Sequence, residues 1–342
     1  MKRSRSRSTS FEVAALAGVS QSAVSRAFTP GTSISEATRA RIFEAARKIN
    51  YVPNSIASSL TTRRSNIVAI ILGNLSNPFY VQALEEFSTQ LQQRGRQILT
   101  FTVEPNDNND NAIMKVLQYQ VDGLIVTSAQ ISTRMTAICH ERGIPVVLFN
   151  RYIPGSNASG VRCDNAAGAS LLADTFLAAG AKVFGILTGD SRGTTSQDRV
   201  NAFKRRLVDA GINPADIMIA EGGSTYHKAG QAVRSLMQTP KGRGMDALFA
   251  VNDIMAMGAM DELRHRGLRI PCDIMVAGFD GIPDGARSAY RLTTIRQPMA
   301  QMVKHTIDML NLDDPDAPIL EGVDKRLTGQ LIWRNSIRRP LA

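Results

Sequence analysis

Beyond residue 65 the chain alternates short apolar runs with longer stretches in which apolar side chains recur at helical spacing. The runs are "NIVAIIL", "QILTF", "VDGLIV" and "IPVVLF", and later "KVFGIL", "DIMIA", "DALFAV" and "IMVAGF". This is the alternation of parallel strands covered by helices on both faces, and two sets of four strands predict two doubly wound parallel-sheet α/β subdomains. The segment ahead of them is patterned as short helices. Thr9 with Glu12 makes a capping box, Phe11, Val13, Ala14, Leu16 and Ala17 give a first helix its apolar face, and Gly18 permits a sharp turn. Ser20 caps a second helix with Ala23, Val24, Ala27 and Phe28 on its inner side. Ser35 caps a third, with Ile42, Ala45, Ala46 and Ile49 as its buried stripe and Arg39, Arg41, Arg47 and Lys48 exposed. Three such helices can close a small all-α domain in front of the α/β core.

Between the two parts lies "NYVPNSIASSLTTRRS". Pro53 breaks the chain there, and the stretch carrying Ile56, Ala57 and Leu60 is too short for a stable isolated helix, so it either folds on contact with a partner or is a plain linker. Charge separates the same two parts. Residues 1–64 carry 11 Lys or Arg against 3 Asp or Glu, whereas the rest carries 29 against 27, so most of the net +10 sits at the front. Such a concentration points to a polyanion, because neutralised phosphates release counterions. For Lys2–Arg7 alone, a disordered solubilising tail is the simpler reading. From the first turns of the second helix Gln21, Ser22 and Arg26 project outward. Arginine can bond guanine bidentately and glutamine can bond adenine, so this helix has the shape and chemistry of a major-groove reader; the alternative is a helical hairpin with a solvated face. Leu60, beside Arg63 and Arg64, has the character of a minor-groove wedge.

At 342 residues and 43% hydrophobic, the chain can bury a core in each of two or three domains. Cys139, Cys163 and Cys272 show no CxxC spacing and no histidine in metal-ligand register, so reduced thiols and no metal are expected. The longest apolar run, Ile67–Leu72, falls far short of a membrane span, and no apolar stretch follows the basic start, so a cytoplasmic location is expected. There is no Walker lysine motif, GxGxxG after a strand, HExxH or GxSxG, and His140, His227, His265 and His305 lack an evident nucleophile partner. Neither catalysis nor a cofactor is expected. Ligands of open α/β sheets bind beyond the carboxyl ends of the strands. Those positions hold Asn74, Asn77, Phe79, Tyr80, Thr127, Ser128, Asn150, Arg151, Asp190, Asn252, Asp253 and Asp280. Amides, carboxylates, a guanidinium and aromatic faces suit a hydroxyl-rich small molecule, although any one of them can also be a turn or cap residue. Arg151 and Arg199, with Lys228 and Arg192 nearby, leave open whether such an effector is a neutral sugar, a sugar acid or a sugar phosphate.

Thr9–Arg64 resembles the headpiece and hinge of the LacI/GalR family of bacterial transcription regulators, and the resemblance continues over almost the whole chain. "SNPFY", "DNAAGA", "SQDRVNAF", "VNDIMAMGAM", "VAGFDG" and "LTTIRQP" resemble the family's effector core, which is similar to periplasmic sugar-binding proteins. The resemblance implies that Gln21 and Ser22 read base edges, that Arg26 is the recognition-helix arginine and that Leu60 intercalates, with Thr9, Ser20, Ser25, Asn54 and Ala57 completing the DNA-contact set. It implies effector contacts from Arg199, Asn252, Asp280 and Gln297, with Tyr226 as an aromatic wall, beside the Asn77, Phe79, Tyr80, Thr127 and Arg151 already singled out. Thr29 stands where the family usually has asparagine and Ala202 where it usually has glycine.

The organisation implied is a tail 1–8, a helix-turn-helix domain 9–53, a hinge 54–65, an N-terminal effector subdomain 66–164 plus 296–324, and a C-terminal one 165–295 plus 325–342. A homodimer on a pseudo-palindromic operator with a central CG step is expected, because one short recognition helix makes too few contacts for specific binding. Repression is expected on the family's grounds. The end, "GQLIWRNSIRRPLA", lacks leucine heptads, so a coiled-coil tetramer is not expected. Two other readings follow from the residues alone: a sugar-binding protein without a DNA role, and a nucleotide-dependent enzyme.

Overall fold

The computed structural model describes residues 8–29, 31–53, 64–103, 110–127, 131–191, 193–314 and 317–339. Residues 1–7 of the tail, the hinge residues Asn54, Ala57 and Leu60, and Ser128 and Arg192 lie outside the described residues. The chain divides into two units, Met1–Ser65 and Asn66–Ala342.

In the first unit α1 (Ser10–Ala17), α2 (Gln21–Phe28) and α3 (Glu36–Lys48) enclose Val13, Ala14, Ala17, Val24, Ala27, Ile42, Ala45 and Ala46. Each start is set by a side-chain cap: Thr9 on the Glu12 N–H, with Glu12 returning to Thr9, Ser20 on Ala23 and Ser35 on Thr38. Gly18 ends α1 at φ +64°, a left-handed turn open to glycine without strain. The apolar face of α1 is narrower than its sequence suggests, because Phe11 is 68% and Leu16 57% exposed. The five apolar residues sweep more than half the circumference of an eight-residue helix, and two short neighbours cover only the middle of that arc. Arg39 is half-buried rather than exposed. The Phe28 ring sits 5.0 Å from Phe43 and 5.8 Å from Tyr51, closing the base of the unit.

The second unit holds two six-stranded sheets. The first runs β11-β5-β4-β3-β1-β2 and the second β12-β10-β9-β8-β6-β7. All eight apolar runs are strands: β1 (Ile67–Leu72), β2 (Gln97–Thr102), β3 (Gly123–Val126), β4 (Val146–Phe149), β6 (Phe184–Thr188), β7 (Ile217–Glu221), β8 (Ala247–Ala250) and β9 (Met275–Asp280). Each sheet has two more strands than expected, β5 (Ser159–Cys163) and β11 (Asp324–Leu327) in the first and β10 (Thr293–Arg296) and β12 (Gln330–Ile332) in the second. These four are polar or mixed in sequence, so no apolar run marks them. Pairing is parallel throughout except between β10 and β12.

The helices α4 (Pro78–Gln93), α5 (Asp110–Val116) and α6 (Thr133–Glu141) belong to the first subdomain. To the second belong α7 (Asn165–Ala178), α8 (Thr194–Asp209), α9 (Tyr226–Leu236), α10 (Pro240–Arg243) and α11 (Asp253–His265), after which α12 (Met299–Met309) packs back on α4, β4 and β5. The chain therefore passes between sheets after Cys163, after Arg296 and at 328–329. The boundary placed at 324/325 falls inside β11, which stays on β5 as far as Leu327. Among the described residues no helix is long and apolar enough to cross a membrane.

Candidate functional site

On the first unit, α2 presents Gln21, Ser22, Ser25 and Arg26 on its exposed side. Thr9 and Ser20 are already engaged as caps, the Ser20 hydroxyl also lying 2.9 Å from that of Ser22, and Gln21 Nε2 donates to Ser10 Oγ at 2.9 Å. Thr29 gives α2 an orderly end: its hydroxyl donates to the Ser25 carbonyl at 3.0 Å, and the Thr32 hydroxyl donates to the carbonyl of Arg26. The last turn thus has its carbonyls partnered by threonine hydroxyls.

On the second unit, the loops at the carboxyl ends of strands from both sheets meet around Asp280. Its Oδ1 accepts Gln297 Nε2 at 2.7 Å and Arg199 Nη1 at 3.2 Å, and its Oδ2 accepts Asn77 Nδ2 at 3.4 Å. Asn77 comes from the first subdomain, Arg199 from the second and Gln297 from a crossover, so one carboxylate gathers all three. The Arg199 guanidinium lies 3.7 Å over the Phe279 ring and also reaches Asn165 Oδ1 at 2.7 Å and the Val251 carbonyl at 2.6 Å. Burial pushes the Asp280 carboxyl up, while Arg199, Gln297 and Asn77 draw it down.

Asp280 has φ +130°, a backbone setting that L-residues rarely adopt, and Asp253 supports it. Asp253 Oδ2 accepts the N–H groups of Gly281 and Ile282 at 2.7 and 2.9 Å, and its Oδ1 accepts the Thr294 hydroxyl at 2.6 Å. Around this hub a cavity of about 60 Å³ is lined by Asn74, Asn77, Tyr80, Asn150, Thr195, Ser196, Arg199, Ser224, Val251, Asn252 and Asp280. Asn150 and Ser224 on this lining also have positive φ. Among the described residues Asn150 Oδ1, Arg199 Nη2, Gln297 Oε1 and Asn165 Nδ2 are buried with no hydrogen-bond partner. Buried polar atoms of this kind ask for an explanation, and a polar ligand in the cleft is one.

Residues 11–54 match the model of the bacterial regulatory proteins of the lacI family, and residues 173–337 match the periplasmic binding protein-like domain. The chain belongs to the LacI family. This LacI-family chain is 28% identical over 302 residues to the transcriptional repressor PurR of Aliivibrio fischeri, spanning 87% of this chain and 89% of that protein. The lac repressor dimer bound to operator and an anti-inducer superposes with a TM-score of 0.86 at 23% identity, over 97% of this chain and 99% of that one. A complex of the regulator CelR with cellobiose superposes at 0.69 with 26% identity, over 96% and 100%. The chain is accordingly a DNA-binding transcriptional regulator with an effector-binding core, and not an enzyme.

In this LacI-family core the cleft brings together Asn77, Tyr80, Arg199, Asn252 and Asp280, with Gln297 directly behind Asp280. Asn252 also caps α11, its Oδ1 accepting the Met255 N–H at 2.9 Å. Four other candidates are not on the lining. Phe79 is buried in the core, its ring 6.3 Å from that of Phe149. Thr127 gives its hydroxyl to the Ile71 carbonyl, and Arg151 Nη1 reaches the Thr127 carbonyl at 3.4 Å. Tyr226 turns to the outer surface, where its hydroxyl and that of Tyr290 both donate to Asp261. Sequence reasoning missed Thr195, Ser196 and Ser224. All three follow the carboxyl ends of β6 and β7, so applying the strand-end rule to every strand finds them.

Proposed function

We propose that this chain represses transcription as a homodimer on a pseudo-palindromic operator, and that a neutral, hydroxyl-rich molecule of the sugar class, held between the two core subdomains, sets its operator affinity. The carrying observation is the charge balance of the cleft. Arg199 is the only cation among the described lining residues, and Asp280 already neutralises it. Lys228 and Arg151 are not on the lining, which favours a neutral sugar over a sugar acid or phosphate. The relative that is named a repressor and the cellobiose complex of CelR support the same direction. Gln21, Ser22, Ser25 and Arg26 supply the base-reading face, and the dimer follows from the small contact area of one eight-residue helix.

The test is selection of duplexes from a randomised pool by the full-length protein at moderate salt, repeated with neutral sugars, sugar acids, sugar phosphates and purines. A palindrome with a central CG, released or tightened by one neutral sugar, is the expected result. Release by a purine or an anionic sugar alone would overturn the effector assignment, and retention of DNA without sequence preference would overturn the operator reading.

A further inference from the structure

The helix that carries Arg199 into the cleft turns its preceding residue, Asp198, toward the first subdomain. There Arg162 of β5, 5% exposed, is held by Asp324 of β11 through two parallel bonds, Nε to Oδ1 at 2.8 Å and Nη2 to Oδ2 at 2.9 Å. Its guanidinium carbon lies 4.2 Å from the centroid of the Tyr152 ring. The remaining nitrogen, Nη1, donates across the subdomain boundary to Asp198 Oδ2 at 2.6 Å, and the Tyr152 hydroxyl donates to Asp198 Oδ1 at 3.2 Å. A third bond crosses at the same place, from the Thr194 hydroxyl to the Tyr152 carbonyl at 3.2 Å. Arg162, Asp324 and Tyr152 are all on the first subdomain, whereas Thr194 and Asp198 are on α8 of the second.

We propose that Asp198 is a closure latch: it binds a receptor preassembled on the first subdomain, holds the two subdomains together without any effector, and so positions Arg199 over the cleft. The inference rests on the effector reading only for its last clause. Asp324 and Tyr152 fix the arginine fork whether or not α8 is docked, so little side-chain freedom is lost when Asp198 arrives. Undocking leaves no group stranded. Arg162 keeps its bidentate partner, and Asp198, already partly exposed, returns to water. The bond is made only when the subdomains approach, which is what a contact must do to bias one arrangement over another. A pair buried on both sides would instead weld them.

The test uses the full-length protein with no ligand. Amide hydrogen exchange is followed in residues 194–199 and in the 150–153 loop for wild type, Asp198→Ala and Tyr152→Phe. Loss of a hydrogen bond between charged groups predicts exchange about tenfold faster or more at both sites in Asp198→Ala, and a smaller rise in Tyr152→Phe. The urea midpoint read by Trp333 fluorescence should stay at the wild-type value. Unchanged exchange at either site would overturn the latch. So would faster exchange throughout the second unit with a lowered midpoint, which would mean an ordinary stabilising ion pair. Neither outcome depends on which effector binds, so failure of the latch and failure of the effector assignment are separable.

Discussion

Replacing Asp253 with asparagine should remove most of the pH dependence of core stability between about pH 4 and 7. Asp253 is fully buried, and burial, reinforced by the neighbouring Asp280 carboxylate, pushes its carboxyl up to about 7. In an unfolded chain an aspartate titrates near ~3.9. Between these values the folded protein keeps a proton that the unfolded chain has released. Stability from this group is therefore fully present at the acid end and is lost as pH rises through the folded value. A difference of about three units, at ~1.4 kcal/mol each, is roughly 4 kcal/mol, a large share of a domain's stability. Asparagine mimics the protonated acid: its carbonyl can accept the Gly281 and Ile282 N–H groups while its NH2 turns to Thr294 Oγ1. The assay is urea unfolding at several pH values from the acid end to about pH 8, read by the single tryptophan, Trp333, which directly follows β12 in the same subdomain. The wild-type midpoint should fall with rising pH. Asp253→Asn should run nearly flat and lie above wild type at the alkaline end, its residual slope reporting Asp280, which burial raises in the same direction. Parallel curves would refute the reasoning. So would an asparagine variant already weaker than wild type at the acid end, since the carboxylate charge would then be what holds the loop.

Arg26→Ala should abolish discrimination among operator sequences while leaving salt-dependent retention of DNA largely intact, as read by duplex selection. Arg199→Met should cost about 3–5 kcal/mol in urea unfolding, because Asp280 stays buried without its guanidinium, and Asp280→Asn in the same chain should recover part of that loss. Gly258→Ala should destabilise the second subdomain by about 1–3 kcal/mol or more in the same assay, because a Cβ there overlaps the Tyr226 carbonyl where α9 meets α11. Thr9→Ala should cost about 1 kcal/mol of headpiece stability by circular dichroism, the usual worth of an N-cap.

What could be read in advance depended on whether the signal was local. Thr9, Ser20 and Ser35 cap helices three residues away, and Gly18 needs only its own backbone, so the headpiece was legible from short windows. Inner strands such as "GLIV", "VVLF" and "ALFA" were legible because every residue in them is buried, whereas β2 and β7, at the sheet edges, are only partly buried and were read from their apolar residues alone. The β5 strand escaped because it reads "SGVRC", its arginine satisfied by Asp324 from a strand more than 160 residues away. Long-range pairing of this kind leaves no periodic trace. Tyr226 failed for a related reason. Its hydroxyl finds Asp261 of α11, 35 residues further on, a partner invisible along α9 itself. Asn252 and Asp280 were found from strand ends and Arg199 from the resemblance, whereas Thr195, Ser196 and Ser224 needed only the same strand-end geometry applied to β6 and β7.

The unpartnered atoms of the cleft restrict what can fill it. On the lining Arg199 Nη2 is a donor and Asn150 Oδ1 an acceptor, and Gln297 Oε1, behind Asp280, is a second acceptor. A ligand that satisfied only the guanidinium, such as a carboxylate or phosphate, would add negative charge beside an Asp280 already raised by burial and would leave the amide oxygens unpaired. A purely apolar ligand would satisfy none of them. A hydroxyl can donate to an amide oxygen and accept from a guanidinium with a single neutral group. Several hydroxyls on a compact ring therefore meet both needs of the cleft without disturbing the Arg199–Asp280 balance. With the proposed neutral-sugar effector, hydroxyl number and placement rather than charge set the affinity, and stereoisomers of one sugar should differ more in affinity than a neutral sugar and its uncharged derivatives do.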